Sequence, residues 1–181
     1  VSILPLRTWG DPILKKRTKE VAEITDDLRR LARDMLETLR AENGVGLAAN
    51  QVGASDRICV IEIPAKAGSP LTYVLINPVI TSRSKPTASA EEGCLSFPGV
   101  WAPVERSAEV EVKAMDLDGK PVAVRGTGLL ARAIQHELDH LDGVVFVERM
   151  SMVHRVVLNR QLKELAKQTK AKLAGKAASR L

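Results

Sequence analysis

A chain of 181 residues, 45% of them apolar, is long enough to bury one core and too apolar to stay disordered. Aromatic residues reach only 3%, which excludes a base-stacking platform, and no run of about 18 apolar residues is present to cross a bilayer. The net charge of +5 is uneven: residues 151–181 hold eight Lys or Arg against one acid, Glu164, so the 150 residues before them are slightly acidic. Two cysteines, Cys59 and Cys94, are too few for a disulfide framework and point to a reducing compartment. The expected location is the cytoplasm, or an organelle where a transit peptide has been removed.

Residues 1–23 read as irregular, broken by Pro5, Gly10 and Pro12. Thr25 predicts a helix cap, with Asp26 and Asp27 placed for the dipole; Leu28, Leu31, Ala32, Met35 and Leu39 recur at helical spacing, and Gly44 reads as the stop. Residues 58–63 and 72–76 read as strands, and Cys59, between Ile58 and Val60, as a small core hydrophobe. Strands at 109–115 and 121–125 are joined by a turn at Asp118-Gly119. A second helix runs from Leu129 to Leu141 and stops at Gly143; a third follows Ser151 and continues to about Leu173.

The middle helix is apolar around most of its circumference, through Leu129, Leu130, Ala131, Ala133, Ile134, Leu138 and Leu141, which predicts burial. It nevertheless carries Gln135, His136, Glu137, Asp139 and His140. Burying so many polar groups without partners costs several kcal/mol, so something polar must meet them. The His-Glu-x-x-His spacing puts His136 and His140 on one helix face as ligands for zinc or ferrous iron, with Glu137 as general base; the bland alternative is two core histidines bonded to carbonyls. A catalytic site needs a third protein ligand and one open position. Phe146 stands where a third histidine would follow, Glu148 is too near to return, and Glu164 lies in the basic tail. Cys94 is the better choice, in a bent segment between Gly93 and Pro98-Gly99, although the local sequence alone reads equally well as a buried free cysteine. His154 is a less attractive fourth ligand, which would close the site. Gln51, by itself, reads as a surface amide.

Three separated segments resemble one family, peptide deformylase: Gly44-Val45-Gly46-Leu47-Ala48-Ala49-Asn50-Gln51, Glu92-Gly93-Cys94-Leu95-Ser96, and Gln135-His136-Glu137-Leu138-Asp139-His140. Their order over about 100 residues is what makes the match specific, and Gly10-Asp11-Pro12-Ile13-Leu14 and Leu141-Asp142-Gly143 extend it. The resemblance implies an α+β fold, with antiparallel sheets packed around the buried central helix, plus an N-terminal and a C-terminal helix. It implies metal ligands Cys94, His136 and His140, Glu137 as acid/base, and the Gln51 side-chain amide and Leu95 backbone N–H facing an oxyanion. The implied cofactor is one divalent ion per chain, ferrous iron in the native enzyme with zinc or nickel able to take its place. The implied reaction is hydrolysis of the N-formyl group from the formyl-methionine of new polypeptides. On that reading Val45, Leu129 and Ala133 wall the methionine pocket, and the backbone of Val45, Gly46 and Gly93 pairs with the peptide.

Arg106 is read as a brace for Glu92, against the alternative of an exposed arginine. The domain boundaries expected are a catalytic unit over residues 1–150 and a basic helix over 151–181, packed on it or extending from it. The tail carries Arg155, Arg160, Lys163, Lys167, Lys170 and Lys172 beside Val156, Leu158, Leu162, Leu165 and Leu173. It reads as a solvated helix packed by its apolar side, or as a contact with ribosomal RNA, which the resemblance supports. Two rival readings are a peptidase cutting internal bonds, disfavoured by Phe146 and Cys94, and a non-catalytic RNA-binding protein with a structural metal, disfavoured by Glu137 and Gln51.

Overall fold

The protein is described by a computed structural model over residues 2–65 and 68–178. In chain order its elements are α1 (Asp26–Ala41), β1 (Gly46–Ala48), β2 (Ile58–Ile63), β3 (Leu71–Arg83), β4 (Thr87–Gly93), β5 (Trp101–Ser107), β6 (Glu109–Met115), β7 (Pro121–Thr127), α2 (Gly128–Leu141) and α3 (Met152–Ala178). The expected irregular start holds, apart from one 3-10 turn at Pro12–Lys15. Thr25 caps α1 by accepting the Leu28 amide at 3.3 Å. The left-handed residue that ends α1 is Asn43 (φ 52°), not Gly44. Asn43 and Gly44 donate their amides to Arg40 O and Leu39 O at 3.1 and 2.9 Å, which is the paired pattern of a Schellman stop.

Five strands form one antiparallel sheet in the order β1-β2-β3-β6-β7, and β4-β5 form a second, two-stranded sheet. Alternation along β2 sets the layers. Ile58 and Val60 face α1, whereas Cys59 and Ile61 face α2, so the larger sheet has a helix on each side. Cys59 is fully buried there, as its strand context predicts. A third core gathers Leu14, Phe97, Val104, Val145 and Phe146 with Leu158, Leu162 and Leu165 of α3. Each fully buried Leu, Ile or Phe contributes roughly 1.5–3 kcal/mol through area removed from water. The fold is α+β with antiparallel sheets around α2, the arrangement the resemblance implied.

Strand β3 runs well beyond the expected 72–76. Asn77-Pro78 reads as a breaker, yet the strand absorbs it as an irregularity in register between Ile76 and Val79. Asn77 is left-handed (φ 50°), and its side-chain amide bonds the N–H and C=O of Val21, each at 2.8 Å. Strands β1, β4 and β5 were not anticipated. The β4 sequence is exposed on both faces from Thr87 to Glu91, and β5 contains Pro103, so neither carries a clean alternating signal.

Helix α2 buries every residue from Ala133 to Leu141. Leu129 departs from the expectation of burial and is 48% exposed. The helix closes on Gly143 (φ 74°), whose amide donates to His140 O at 3.0 Å while that of Val144 donates to Asp139 O at 2.8 Å. Glycine is required twice over, because a Cβ there would meet Lys15 O at 2.6 Å.

Ser151 caps α3 by accepting the His154 amide at 3.3 Å. The Thr8 and Thr169 hydroxyls meet at 2.7 Å, and Gln161 donates to Gly99 O at 2.9 Å. Val156, expected on the packed side, is instead 70% exposed, together with Met152, Val153 and Val157. No helix among the described residues is long and apolar enough to cross a membrane.

Candidate metal centre

The end of β4 and the middle of α2 meet at one point. Cys94 follows Gly93 directly, and the chain turns there, with the Phe97 amide donating to Cys94 O at 2.8 Å. His136 and His140 stand one helical turn apart with ring centroids 4.9 Å from each other. Cys94 Sγ lies 3.2 Å from His140 Nε2. One ligand atom from each of Cys94, His136 and His140 falls within 4.8 Å of the others, the single such group of three or more among the described residues. Tetrahedral bonds of roughly 2.0–2.3 Å hold their donors about 3.5 Å apart, so the spacing fits an ion of that kind.

The surrounding charges fix the rings. Glu92 Oε2 is 3.0 Å from His136 Nδ1, which leaves Nε2 for a ligand bond. Arg106 clamps both oxygens of Glu92, at 2.7 and 3.0 Å, and reaches Asp139 Oδ2 at 2.7 Å; Arg149 holds the same Asp139 from the other side. Burial alone would raise the Glu92 carboxyl, but His136 and the Arg106 guanidinium outweigh it and hold that group below the usual carboxylate range. For His136, burial works against protonation, and contacts with Cys94 and Glu92 outweigh it, so the ring is held above its ordinary value. His140 is pushed down, first by burial and then by His136.

Beside these donors runs a cleft of about 420 Å³. Its lining includes Val45, Gly46, Gln51, Leu95, Ala133 and Glu137, with Leu129 and Gly93 also contributing. Glu137 is buried, and its Oε2 has no hydrogen-bond partner. Burial pushes its carboxyl up to about 7. Gly46 makes room for it, since a Cβ there would lie 2.3 Å from Glu137 Oε1. Gly93 likewise admits the Trp101 ring, to which a Cβ would come within 2.8 Å. Gln51 is buried rather than at the surface. Its Oε1 accepts the Ala48 amide at 2.8 Å, and its Nε2 donates to Ser96 Oγ at 3.1 Å and Cys94 Sγ at 3.4 Å.

The family model described as polypeptide deformylase matches residues 3–156. A peptide deformylase from Alkalilimnicola ehrlichii is 41% identical over 175 residues, covering 97% of each chain, and peptide deformylase 2 from Gloeobacter violaceus is 44% identical over 161, covering 89% of this chain and 85% of that one. Among solved structures, a peptide deformylase from Plasmodium falciparum superposes with a TM-score of 0.86 at 35% identity, covering 92% of this chain and 98% of the other. The chain belongs to the polypeptide deformylase family. The reaction of that family is metal-dependent hydrolysis of the N-formyl group from the N-terminal formyl-methionine of new polypeptides, with release of formate.

Within this deformylase, the residues set aside as ligands on sequence grounds lie elsewhere. His154 Nδ1 bonds Ser151 Oγ at 2.8 Å, Glu148 pairs with Lys15, and Glu164 accepts from Gln168 at 3.2 Å. Phe146 packs in the third core, its ring 6.0 Å from that of His136. Sequence reasoning missed Arg132, which donates to Glu92 Oε1 at 2.6 Å, Val104 O at 2.8 Å and Ala88 O at 2.7 Å. A signal was present. Arg132 stands one turn before His136, between the buried Ala131 and Ala133, where a cation needs an acid. Ser96, fully buried against Gln51, was also missed.

Proposed function

We propose that Cys94, His136 and His140 hold one divalent ion, with ferrous iron native and zinc or nickel able to occupy the same seat, and that Glu137 is the acid/base of deformylation. The observation that carries this reading is a thiol and two imidazoles converging beside a buried carboxyl group whose Oε2 has no protein partner. A divalent ion in a seat of three protein donors acidifies water and polarises a carbonyl.

The chain's own groups do the rest. Glu137 takes the proton of the attacking water and returns it to the leaving amine nitrogen. Burial holds that carboxyl up, near 7, in the metal-free chain, and a dication beside it would favour the ionised form that accepts the proton. The Leu95 N–H donates to no protein acceptor among the described residues and faces the developing oxyanion. The Gln51 amide, held by Ala48 through Oε1, supplies the second donor by turning one Nε2 hydrogen from Cys94. Val45, Leu129 and Ala133 wall the methionine side chain, and the backbone of Val45, Gly46 and Gly93 pairs with the extended peptide. Protein purified without oxygen is expected to carry about one equivalent of iron and to release formate from a formyl-Met peptide while leaving the unformylated peptide intact. Protein free of any divalent metal with full activity, or cleavage of the unformylated peptide, overturns the assignment.

This catalytic set lies within residues 1–150, and residues 151–181 form a second functional unit that contacts the ribosome. Support comes from Met152, Val156, Arg160, Lys163, Lys167 and Lys170, all exposed and three or four residues apart, hence aligned along one side of α3. Changing Lys163, Lys167 and Lys170 to Glu is expected to weaken co-sedimentation with ribosomes about tenfold at low salt and to flatten its salt dependence, leaving turnover of a short peptide unchanged. Salt-insensitive binding, or none by the unaltered protein, refutes the contact.

A further inference from the structure

The C-terminal end of the metal-bearing helix α2 is held by donors from elsewhere in the fold. Thr18 donates its amide and hydroxyl to Leu141 O at 2.8 and 2.9 Å, and Arg57 reaches Asp142 Oδ1 at 2.8 Å. Asn50, 1% exposed, donates Nδ2 to His140 O. Only the amino half of that amide is used. Asn50 Oδ1 is buried without a hydrogen-bond partner, and so is His140 Nδ1. The other His140 nitrogen, Nε2, faces Cys94 Sγ at 3.2 Å.

An imidazole that gives its Nε2 lone pair to an ion carries its proton on Nδ1. His140 Nδ1 is then an obligate donor, and Asn50 Oδ1 is an obligate acceptor. Both are shut away from solvent, on two residues already joined through Nδ2, and leaving either unmet in the interior is unfavourable. No direct hydrogen bond links them, and one internal water between them would satisfy both, accepting from Nδ1 and donating to Oδ1. His136 solves the same problem differently, through the Glu92 carboxylate.

We propose that Asn50 is a positioning residue for His140: its side-chain carbonyl accepts the Nδ1 proton across one internal water and so fixes the tautomer that presents Nε2 to the ion. The inference rests on His140 being a ligand.

Histidine-labelled, zinc-loaded protein tests it through the Nδ1 proton resonances. Asn50→Leu keeps the bulk and removes both polar groups. It is expected to speed exchange of the His140 Nδ1 proton at least about tenfold, leave that of His136 unchanged, and weaken zinc binding about 10–100-fold. Asn50→Asp keeps an acceptor, loses the donor to His140 O, and is expected to retain the slow His140 proton. Asn50→Thr restores a hydroxyl acceptor and is expected to recover most of the zinc affinity, which covers the case in which the Leu variant folds poorly. A purely structural role would lower the melting temperature of the metal-free protein without moving the His140 proton. Unchanged proton exchange in Asn50→Leu, or equal losses in the Leu and Asp variants, overturns the proposal. Zinc binding by the unaltered protein that leaves the His140 resonance unmoved overturns the ligand assignment, and this inference with it.

Discussion

Glu137→Gln is expected to keep a full equivalent of metal and lose at least about 10² in kcat, because the acid/base pair of proton transfers is gone while the donors are untouched. The structure makes this substitution unusually clean. Gln has the same shape, so it fits against Gly46, where Glu137 Oε1 already occupies the space of a missing Cβ. No protein hydrogen bond to Oε2 is there to be lost. A second readout separates chemistry from folding. Burial raises the Glu137 carboxyl from 4.5 to about 7 in the folded, metal-free chain. The stability this group contributes is therefore complete below its unfolded value and lost as pH rises through about 7. Metal-free Glu137→Gln, with no carboxyl to ionise, is expected to lose less stability across that window than the unaltered protein, as chemical denaturation at a series of pH values measures. Near-normal turnover by the variant removes Glu137 from the mechanism.

The parts of the site legible in the sequence were those whose meaning is local. His136, Glu137 and His140 declare themselves because an apolar helix has no other use for such groups, and the helix does bury them. Cys94 was different. Its immediate neighbours allowed a core cysteine equally well, and only the order of three distant segments singled it out; in space its sulfur is 3.2 Å from His140. Arg132 and Asn50 stayed unread because their partners lie 40 and 90 residues away, at Glu92 and His140. Among the elements, α1, α2 and the β6-β7 hairpin follow from periodicity and turn chemistry, whereas β4 is exposed on both faces from Thr87 to Glu91 and acquires its meaning only by pairing with β5 and carrying Glu92 to His136.

Cys94→Ala is expected to bind metal at least about 10²-fold more weakly and to be isolated largely without it, since two imidazoles alone make a poor seat for a borderline-soft dication. The fold should survive the change. Cys94 is only half-buried at the edge of the third core, and removing one sulfur atom there costs about 1 kcal/mol or less. Gln51 keeps its bonds to Ala48 and Ser96, so the loop carrying Leu95 retains its anchor. Melting of the metal-free variant should thus match that of the metal-free parent, while the stabilisation that added metal gives the parent is absent, because an ion stabilises only in proportion to its affinity for the folded state. Cys59→Ala is the internal control. That thiol is fully buried on β2 facing the helix, outside the group formed by Cys94, His136 and His140, so its loss should lower stability and leave metal content alone. Full occupancy in Cys94→Ala would strike the thiolate from the ligand set, and a drop in metal content in Cys59→Ala equal to that in Cys94→Ala would mean that stability rather than ligation was being read.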